Sequence, residues 1–576
     1  MSLIGYPHNF DCYGQPVALS PNDIGTIYIG SQFLFRSKDH GQTWDRISPD
    51  LTTNDPQKQK QEESGGVTVD NSAAETHTTI YSISESPKAA GTIWVGTDDG
   101  NVQVTRDAGK SWTNTVKNAG GVPEHSWVSW VQAGSFDAGT AFVAFDRHTF
   151  GDMAPYIYAT SDYGKTWKPL VSPKDTKGLV GYVHVVRQDT VKPEILYAGT
   201  EFGLWMSIDA GKTWAQFKGG DIPAVAVRDI AFQNRDASLA LATHGRGIWI
   251  IDDLTPLRAL DAKALDAEAA FLSTRPIQQR INAFGGWAEG DASFTGPNPA
   301  GGAEIVYYQK GRHLFGKLKV DILDDKGSVI DTVPASVRRG INRVTWQMRA
   351  KPPRVPPAAQ IAFNSTQGPR VPPGTYTVRM TKGKETYETK IDVGLDRRVT
   401  FSAADRRAQY DAAMRVRSLF GEMSALVDEI NAVRMQADAG SAKLAAGDAT
   451  KKQLADLSGK ADEIRKKIVA TREGGAITGE ERLREHTDTL YGAITSYDGK
   501  PSDYQLARID ALNRELGDVK QDFAKLRSGD LVKTNATLKS KNLPEITVPE
   551  ASPETAGASG GKDKDGDEPH PPWERD

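Results

Sequence analysis

Four carboxylates in the first half of the sequence follow short apolar runs, and side chains of this type could perform acid–base chemistry. Asp98 and Asp99 follow one such run, and Asp146 and Glu201 follow two others. Inverting hydrolysis of a glycosidic bond needs two carboxyl groups roughly 6.5–9.5 Å apart, one acting as acid and the other as base. These four residues could supply such a pair, but no motif singles out two of them.

Hydrogen-bond donors and one aromatic residue accompany these acids. Guanidinium and imidazole groups could hold hydroxyls or a carboxylate, and the indole of Trp127 could stack on a sugar ring or pack in the core between sheets. The candidate ligand-binding residues are His125, Trp127, Arg147, His148, His244 and Arg246. The alternative interpretation is that polar residues simply occupy exposed turns.

The elements that must position these residues are marked by a repeat, Ser/Thr-x-Asp-x-Gly-x-Ser/Thr-Trp, which occurs four times. It is identified as the Asp-box, or BNR repeat, of sialidase-like and sortilin-like β-propellers. Gly supplies a positive φ in a tight turn, Asp and Ser/Thr can bond the turn's own amides, and Trp is an apolar anchor. We interpret these residues as structural, with no metal site. The paired Asp and Trp residues are Asp39 and Trp44, Asp107 and Trp112, Asp162 and Trp167, and Asp209 and Trp214.

Two short strands precede each box and a further strand comes earlier, which predicts four-stranded antiparallel units typical of propeller blades. A fifth unit, over about residues 228–251, lacks a box. Because chain direction alternates, the boxes between strands 3 and 4 mark one face. The connections between strands 2 and 3, which carry the candidate acids, lie on the opposite face. We therefore expect Asp146 and Glu201 to point toward the same mouth.

Several longer phrases resemble one family, the large exported bacterial BNR/VPS10-like repeat proteins that are labelled glycosyl hydrolase-like or sortilin-like. The resemblance runs from about residue 16 to about 540, and the phrases are Leu34–Ser37 with Ile47–Thr52, Ala144–His148, Gly199–Gly203 and Thr243–Asp253. It implies a secreted or periplasmic location and a glycan or polypeptide ligand. Family members extend further upstream, so we expect this chain to be their C-terminal part, with about five blades in an incomplete arc or small ring.

Composition shifts along the chain predict a mainly β, multidomain protein that ends in helices. After the blades, alternating strands favour a small antiparallel β-sandwich of immunoglobulin or fibronectin type. A region with Pro501 as its only proline between 401 and 540 then carries apolar stripes at helical spacing, which predicts a bundle. Ser402 with Asp405 is expected to cap the first helix, and the stripes include Val416, Leu457, Leu512, Leu516 and Phe523. The expected boundaries are 1–254 for the propeller, 255–269 for a linker, 270–398 for the sandwich, 401–541 for the helical bundle and 542–576 for a disordered tail.

Composition and motifs also exclude several classes of protein. A net charge of −4 argues against a nucleic-acid binder, and no apolar run is long enough to span a bilayer. The single cysteine excludes an internal disulfide framework. Nucleotide and zinc motifs are absent, so we expect no cofactor. The N-terminus of this chain carries no signal-peptide pattern.

Three functions stay open on this evidence. The first is a non-catalytic, extracytoplasmic propeller that binds a glycan or peptide on the face opposite the boxes. The second is a glycoside hydrolase resembling xyloglucanases, with paired carboxylates. The third is a scaffold or assembly protein that uses the sandwich and bundle.

Overall fold

The computed structural model of the protein describes residues 16–63, 77–219, 222–273, 276–280, 301–474 and 479–549. The chain divides into two compact units, the first ending at Ala267 and the second beginning at Glu268. The first unit is built mainly from short antiparallel strands, and the second combines two further sheets with C-terminal helices. The expectations for residues 1–15 and for the tail beyond 549 lie outside the described residues.

Five small antiparallel sheets follow one another along the first unit. Sheet 1 contains β1 (Val17–Leu19), β2 (Ile27–Gly30), β3 (Leu34–Ser37) and β4 (Asp45–Arg46). Sheet 2 contains β5 (Ile80–Glu85), β6 (Ile93–Thr97), β7 (Val102–Thr105) and β8 (Thr113–Asn114). Sheet 3 contains β9 (Trp127–Ala133), β10 (Ala141–Arg147), β11 (Asp152–Thr160) and β12 (Lys168–Val171). Sheet 4 contains β13 (Val183–Gln188), β14 (Leu196–Thr200), β15 (Gly203–Ser207) and β16 (Ala215–Gln216). Sheet 5 contains β17 (Val227–Gln233), β18 (Ser238–Thr243) and β19 (Ile248–Ile251).

Consecutive sheets of this unit pack face to face. Apolar clusters join sheet 1 to sheet 2, sheet 2 to sheet 3, sheet 3 to sheet 4 and sheet 4 to sheet 5. Because side chains alternate across a strand, a middle sheet serves two clusters at once. On β6, Val95 packs toward sheet 1 and Trp94 toward sheet 3, and both are fully buried.

A small residue in the second strand allows the next sheet to approach closely. A Cβ added at Gly30 would lie 2.7 Å from Ile80, and one at Gly96 would lie 2.4 Å from Val128. At Gly199 it would lie 2.4 Å from the carbonyl oxygen of Val227. Each contacted residue belongs to the first strand of the following sheet. The recurring glycine therefore sets the spacing between neighbouring sheets.

The four Asp-boxes form the turns between the third and fourth strands of sheets 1 to 4, as expected. In sheet 4, Asp209 accepts hydrogen bonds from the Thr213 amide (2.9 Å), the Thr213 hydroxyl (2.7 Å) and the Ser207 hydroxyl (2.8 Å). Gly211 has a φ of 81°, and the residue before it in the turn, Ala210, has a φ of 59°. The same bonds recur in the other three boxes. Each box Asp is thus occupied by its own turn.

We expect Asp209→Ala to lower the free energy of unfolding by about 0.5–2 kcal/mol, the range for removing a capping hydrogen bond. Urea unfolding measures the change. Lys212→Ala is the matched control, because Lys212 is exposed in the same turn and should shift stability by less than about 0.5 kcal/mol. A stable Asp209→Ala protein that had lost ligand binding would contradict the structural role.

Two sheets of the second unit share one apolar core that includes Tyr307, Trp346 and Val378. One sheet contains β20 (Ala269–Leu272), β22 (Ala303–Gln309) and β25 (Gly340–Trp346). The other contains β21 (Ile277–Gln279), β23 (Leu318–Leu323), β24 (Val329–Val333), β26 (Gly374–Lys382) and β27 (Glu385–Leu395). The expectation of purely antiparallel pairing is wrong at one place, since β21 pairs parallel with β27. The immunoglobulin or fibronectin type of this region stays a prediction.

The helices of the second unit enclose a second apolar core. They are α3 (Ala403–Ala442), α4 (Ala449–Ile468), α5 (Leu483–Thr495), α6 (Asp503–Leu526) and α7 (Val532–Ser540), with a π-helical turn at Arg527–Leu531 between the last two. Ser402 and Asp405 form a capping box at the start of α3, in agreement with the sequence. The predicted stripe residues, such as Val416, Leu457 and Leu512, are buried in the common core.

The segment predicted as a linker contains two short helices, α1 (Thr255–Ala259) and α2 (Ala262–Asp266). One expectation about the C-terminal segment needs correction. The chain is expected to leave the folded part at 542, but Ile546 is buried against the bundle. The side chain of Asn535 bonds both backbone groups of Ile546. Leu543 and Val548 are partly buried against the same core, so apolar contacts and paired backbone groups together hold this segment.

A buried ionic contact joins the β region of the second unit to its helices. Arg406 is fully buried and lies 3.2 Å from a carboxylate oxygen of Asp498. Arg370 pairs with the other oxygen of Asp498, and Arg406 also donates to the Val371 carbonyl (3.2 Å). The charge of Asp498 is therefore shared between two guanidinium groups.

Candidate functional site

The first strands of the five sheets meet around a cavity of about 310 Å³, which we call the central cavity. Its lining is Pro16, Val17, Tyr81, Ser82, Ile83, Trp127, Ser129, Trp130, Asp146, His184, Arg228 and Asp229. The predicted site residues Asp146 and Trp127 are opposite each other on β10 and β9. They lie where the second strand ends and the first begins, away from the Asp-boxes.

A one-residue bulge in the first strand places four of the lining side chains. In β5, Ile80 pairs with Thr97 and Ser82 with Gly96, so Tyr81 has no partner in the ladder. The register shifts in the same way around Ser129 in β9, His184 in β13 and Arg228 in β17. A bulge redirects a side chain out of the normal alternation. The same backbone irregularity thus brings four different side chains to the cavity.

His184 bridges a carboxylate, Glu201, and a guanidinium, Arg228, beside this cavity. Its Nε2 lies 3.1 Å from Glu201 Oε2, and its Nδ1 lies 3.3 Å from Arg228 Nη1. A guanidinium can only donate, so Nδ1 accepts and the ring proton resides on Nε2, which donates to Glu201. Burial and the nearby charge of Arg228 both lower the pKa of His184. We infer that His184 is a neutral imidazole.

Glu201 is held in the ionised state by its neighbours. Burial acts to raise the pKa of this carboxyl group, but hydrogen bonds from Tyr182 and His184 and the charge of Arg228 lower it below the ordinary value. The Tyr182 hydroxyl donates to Glu201 over 2.9 Å. Burial and this bond to Glu201 raise the pKa of Tyr182 to about 12, so the phenol keeps its proton.

Asp146 is the most buried acid at the cavity, with 1% of its surface exposed. Its Oδ1 accepts from the backbone amide of His148 (2.9 Å) and bonds His148 Nδ1 (2.7 Å). Its Oδ2 has no hydrogen-bond partner among the described residues. That oxygen lies 3.9 Å from His184 Nδ1, but this nitrogen already accepts from Arg228 and has no proton to give. A buried carboxylate oxygen without a donor is costly.

Aromatic rings form one wall of the cavity. The rings of Tyr81 and Trp127 meet edge to face, with centroids 4.6 Å apart and planes at 83°. The face of Trp130 is covered by the guanidinium of Arg187 at 4.4 Å. Both indole nitrogens are buried and, within the described ranges, have no hydrogen-bond acceptor. The cavity thus combines aromatic surface with unpaired polar atoms.

The remaining predicted residues separate into two groups. His148 joins the site, since it contacts Asp146 and stacks on Tyr182 with centroids 4.6 Å apart. Arg147 and His125 lie nearby but outside the lining, and Arg147 donates to Ser126 Oγ (2.8 Å). Asp146 lines the cavity and Glu201 does not, although both acids lie beside His184, at 3.9 Å and 3.1 Å. That both point toward one mouth stays a prediction.

The other group lies away from the central cavity. Asp98 accepts from the Thr79 amide (2.7 Å), and the buried Asp99 accepts from the Thr53 amide (2.6 Å). These bonds hold the loop after sheet 1 against the β6–β7 turn. His244 and Arg246 are exposed in the β18–β19 turn and do not line the cavity.

Tyr81, His184 and Arg228 were not among the sequence candidates. Aligning the units would have shown a signal, because each residue follows the buried apolar residue that opens its strand: Ile80, Val183 and Val227. Regular alternation of side chains along a strand predicts the wrong direction for these three residues, because the residue types do not reveal the bulge.

No protein-family model matches the chain, and no curated protein does. Among solved structures, an ancestral GH74 enzyme is similar at 14% identity and a TM-score of 0.32, covering 66% of this chain and 45% of the enzyme. The GH74 xyloglucanase from Xanthomonas campestris gives 16% identity and a TM-score of 0.31, covering 67% and 65%. YCF48 bound to D1 peptide gives 17% and 0.26, covering 46% and 80%.

The chain thus spans less than two thirds of either GH74 enzyme. Similarity this low establishes no activity. The fold is therefore described from the sheets of the protein itself. Within the described residues, no His, Cys, Asp and Glu side chains cluster as metal ligands do. No helix there combines the length and apolar character needed to cross a membrane.

Proposed function

We propose that the first unit is an Asp-box β-propeller of about five blades that recognises a ligand on the face opposite the boxes, outside the cytoplasm. One observation carries the proposal. Bulged side chains from four successive sheets meet the buried, half-satisfied carboxylate of Asp146 at a single cavity. A concave site with few convergent polar groups is the usual form of a binding pocket. The extracytoplasmic location rests on the family resemblance.

The surface around this end of the sheets favours a polypeptide over a glycan. Large apolar side chains are exposed at this end of the sheets: Phe150 (57%), Met153 (56%), Val180 (54%) and Phe202 (50%). We call these four residues the apolar rim. Phe150, Val180 and Phe202 lie in the β10–β11, β12–β13 and β14–β15 connections, and Met153 is the second residue of β11, at the end where Asp146 and Glu201 also lie. Exposed apolar groups near a cavity mark protein-binding surfaces.

Glycoside hydrolysis is the second candidate, and the approach of two carboxylates to one imidazole favours it. Against it, the ring of His184 stands between Asp146 and Glu201, where an inverting enzyme leaves room for water. The pKa of Glu201 is lowered, whereas a general acid needs a raised one. Turnover of xyloglucan oligosaccharides that is lost in both Asp146→Asn and Glu201→Gln would nevertheless establish the hydrolase.

The recognition proposal is tested with a positional-scanning peptide library and with xyloglucan oligosaccharides, in direct binding to the full chain. We expect peptides to bind and Phe202→Ser to weaken them roughly tenfold, as for a central apolar contact. Phe136→Ser is the matched control, because Phe136 is exposed (39%) in the β9–β10 turn at the box end. Absence of peptide binding, or equal losses in the two variants, would overturn the proposal.

A further inference from the structure

We propose that the central cavity receives a basic side chain, a lysine ammonium or an arginine guanidinium, of the bound polypeptide. The charged end would lie beside Asp146 and the alkyl stem against Tyr81 and Trp127. This inference rests on the proposed recognition function and names the chemistry of its ligand.

The unsatisfied oxygen of Asp146 is the first argument. Only Oδ1 is engaged, by His148, and Oδ2 lacks a donor within the part of the chain that the structure describes. His184 cannot supply one, because its only proton is directed at Glu201. A ligand that donates hydrogen bonds to this oxygen removes the penalty of the unpaired acceptor. A cationic donor gains most, because charge-assisted bonds are about twice as strong as neutral ones.

The aromatic wall is the second argument. Tyr81 and Trp127 stand almost perpendicular and form a corner next to Asp146. Ring faces attract cations, most strongly where water is excluded. The protein already uses this chemistry at the cavity, since Arg187 covers the ring of Trp130. A second cation from a ligand would meet the same kind of surface.

The balance of charge at the cavity is the third argument. The lining contains two carboxylates, Asp146 and Asp229, and one guanidinium, Arg228. Asp229 lies 3.6 Å from Arg187, the guanidinium that covers Trp130, and Arg228 lies 4.0 Å from Glu201. Among the described residues no lysine or arginine pairs with Asp146, so a basic ligand would supply its counter-charge and leave the other two pairs in place.

The size of the cavity limits what can enter. A volume of about 310 Å³ is at the lower end of the range for small-molecule pockets. This is room for one side chain rather than for several residues. The rest of a polypeptide would then lie across the apolar rim.

The test uses four small probes of similar size: n-butylamine, ethylguanidinium, n-butanol and butyrate. Their binding to the full chain is followed by nuclear magnetic resonance of the ligand signals. We expect the two cations to bind roughly tenfold or more tightly than the alcohol and the anion. The peptide library should show the same preference for lysine or arginine at one position.

Asp146→Asn should abolish this preference, because its amide keeps an acceptor for His148 but carries no charge. Asp45→Asn removes an exposed carboxylate on β4 and should change nothing. If Asp146→Asn fails to fold, Tyr81→Ala replaces it, since Tyr81 is 40% exposed and its loss should weaken both cations. Circular dichroism confirms the fold of each variant.

The outcomes separate the two proposals. Peptides that bind at the apolar rim with an acidic or neutral preference, or with full affinity for Asp146→Asn, would overturn this inference and leave the recognition function intact. If neither peptides nor probes bind the wild-type chain, the recognition function itself fails.

Discussion

Replacing Asp498 with alanine should destabilise the second unit by about 3–5 kcal/mol, the range for breaking a buried ion pair from one side. The change leaves Arg406 buried without its counter-ion. Burial is the main effect that lowers the pKa of Arg406, and the nearby charges of Arg370 and Arg349 lower it further. Positive charges would then face one another at the joint between the sheets and the helices.

The measurement is urea unfolding of the full chain, followed by the helical far-ultraviolet dichroism that the second unit supplies. Asp510→Ala is the matched control, because Asp510 is 57% exposed in its pair with Arg415. Exposed pairs contribute about 0–1 kcal/mol. Equal, small effects of the two substitutions would show that Asp498 does not hold the joint.

Gly199→Ala should destabilise the first unit by about 1–3 kcal/mol, the usual cost of overpacking a tight contact. The new methyl group would lie 2.4 Å from the Val227 carbonyl oxygen and 2.6 Å from a methyl of Val185. A carbonyl in a paired strand cannot rotate away, so sheets 4 and 5 must separate or the strands must bend.

Gly120→Ala provides the comparison, since nothing lies within 4 Å of a Cβ at that position. It should leave stability unchanged or raise it by about 0.4–1 kcal/mol through the unfolded chain. Both proteins are compared by loss of near-ultraviolet tryptophan signal in urea. A Gly199→Ala protein as stable as Gly120→Ala would mean that the glycine does not set the spacing.

Local chemistry explains which parts of the fold were predictable. The Asp-box is complete within eight residues, so its type, its turn and its hydrogen bonds follow from the pattern alone. The helical stripes were equally readable, because each buried face repeats along one continuous helix. In α6, the predicted residues Leu512, Leu516 and Phe523 are all buried.

Contacts between distant segments were not predictable in this way. The parallel pairing of β21 with β27 joins residues more than 100 positions apart, and no local residue type specifies it. The placement of residues 542–549 depends on a few contacts with helices that precede them in the sequence. Residues 543–549 form neither a helix nor a strand, so no periodicity in the sequence indicates the partners of this segment.

Only part of the site could be predicted, because its remaining features depend on contacts between distant segments. Topology alone predicted that Asp146 and Glu201 lie at one end of neighbouring sheets, and in the structure they lie 3.9 Å and 3.1 Å from the two ring nitrogens of His184. Asp98 and Asp99 have the same residue type and a similar position in their unit, yet they secure a loop. Which acid faces a cavity depends on what packs beside it, and a single sequence does not contain that information.

The bulges in β5, β9, β13 and β17 separate recognition from folding. Each bulged residue lies outside the strand ladder, while the residues on either side keep their pairing. Tyr81, His184 and Arg228 can therefore be exchanged with little change in the packing between sheets, whereas the Ser129 hydroxyl donates to the Val183 carbonyl of sheet 4 (2.8 Å). Variation at the first three positions offers a combinatorial route to new specificities on an unchanged scaffold, much as loops do in antibodies. Here, however, the variable positions are anchored by strands on both sides, so a new ligand preference need not be gained at the expense of rigidity.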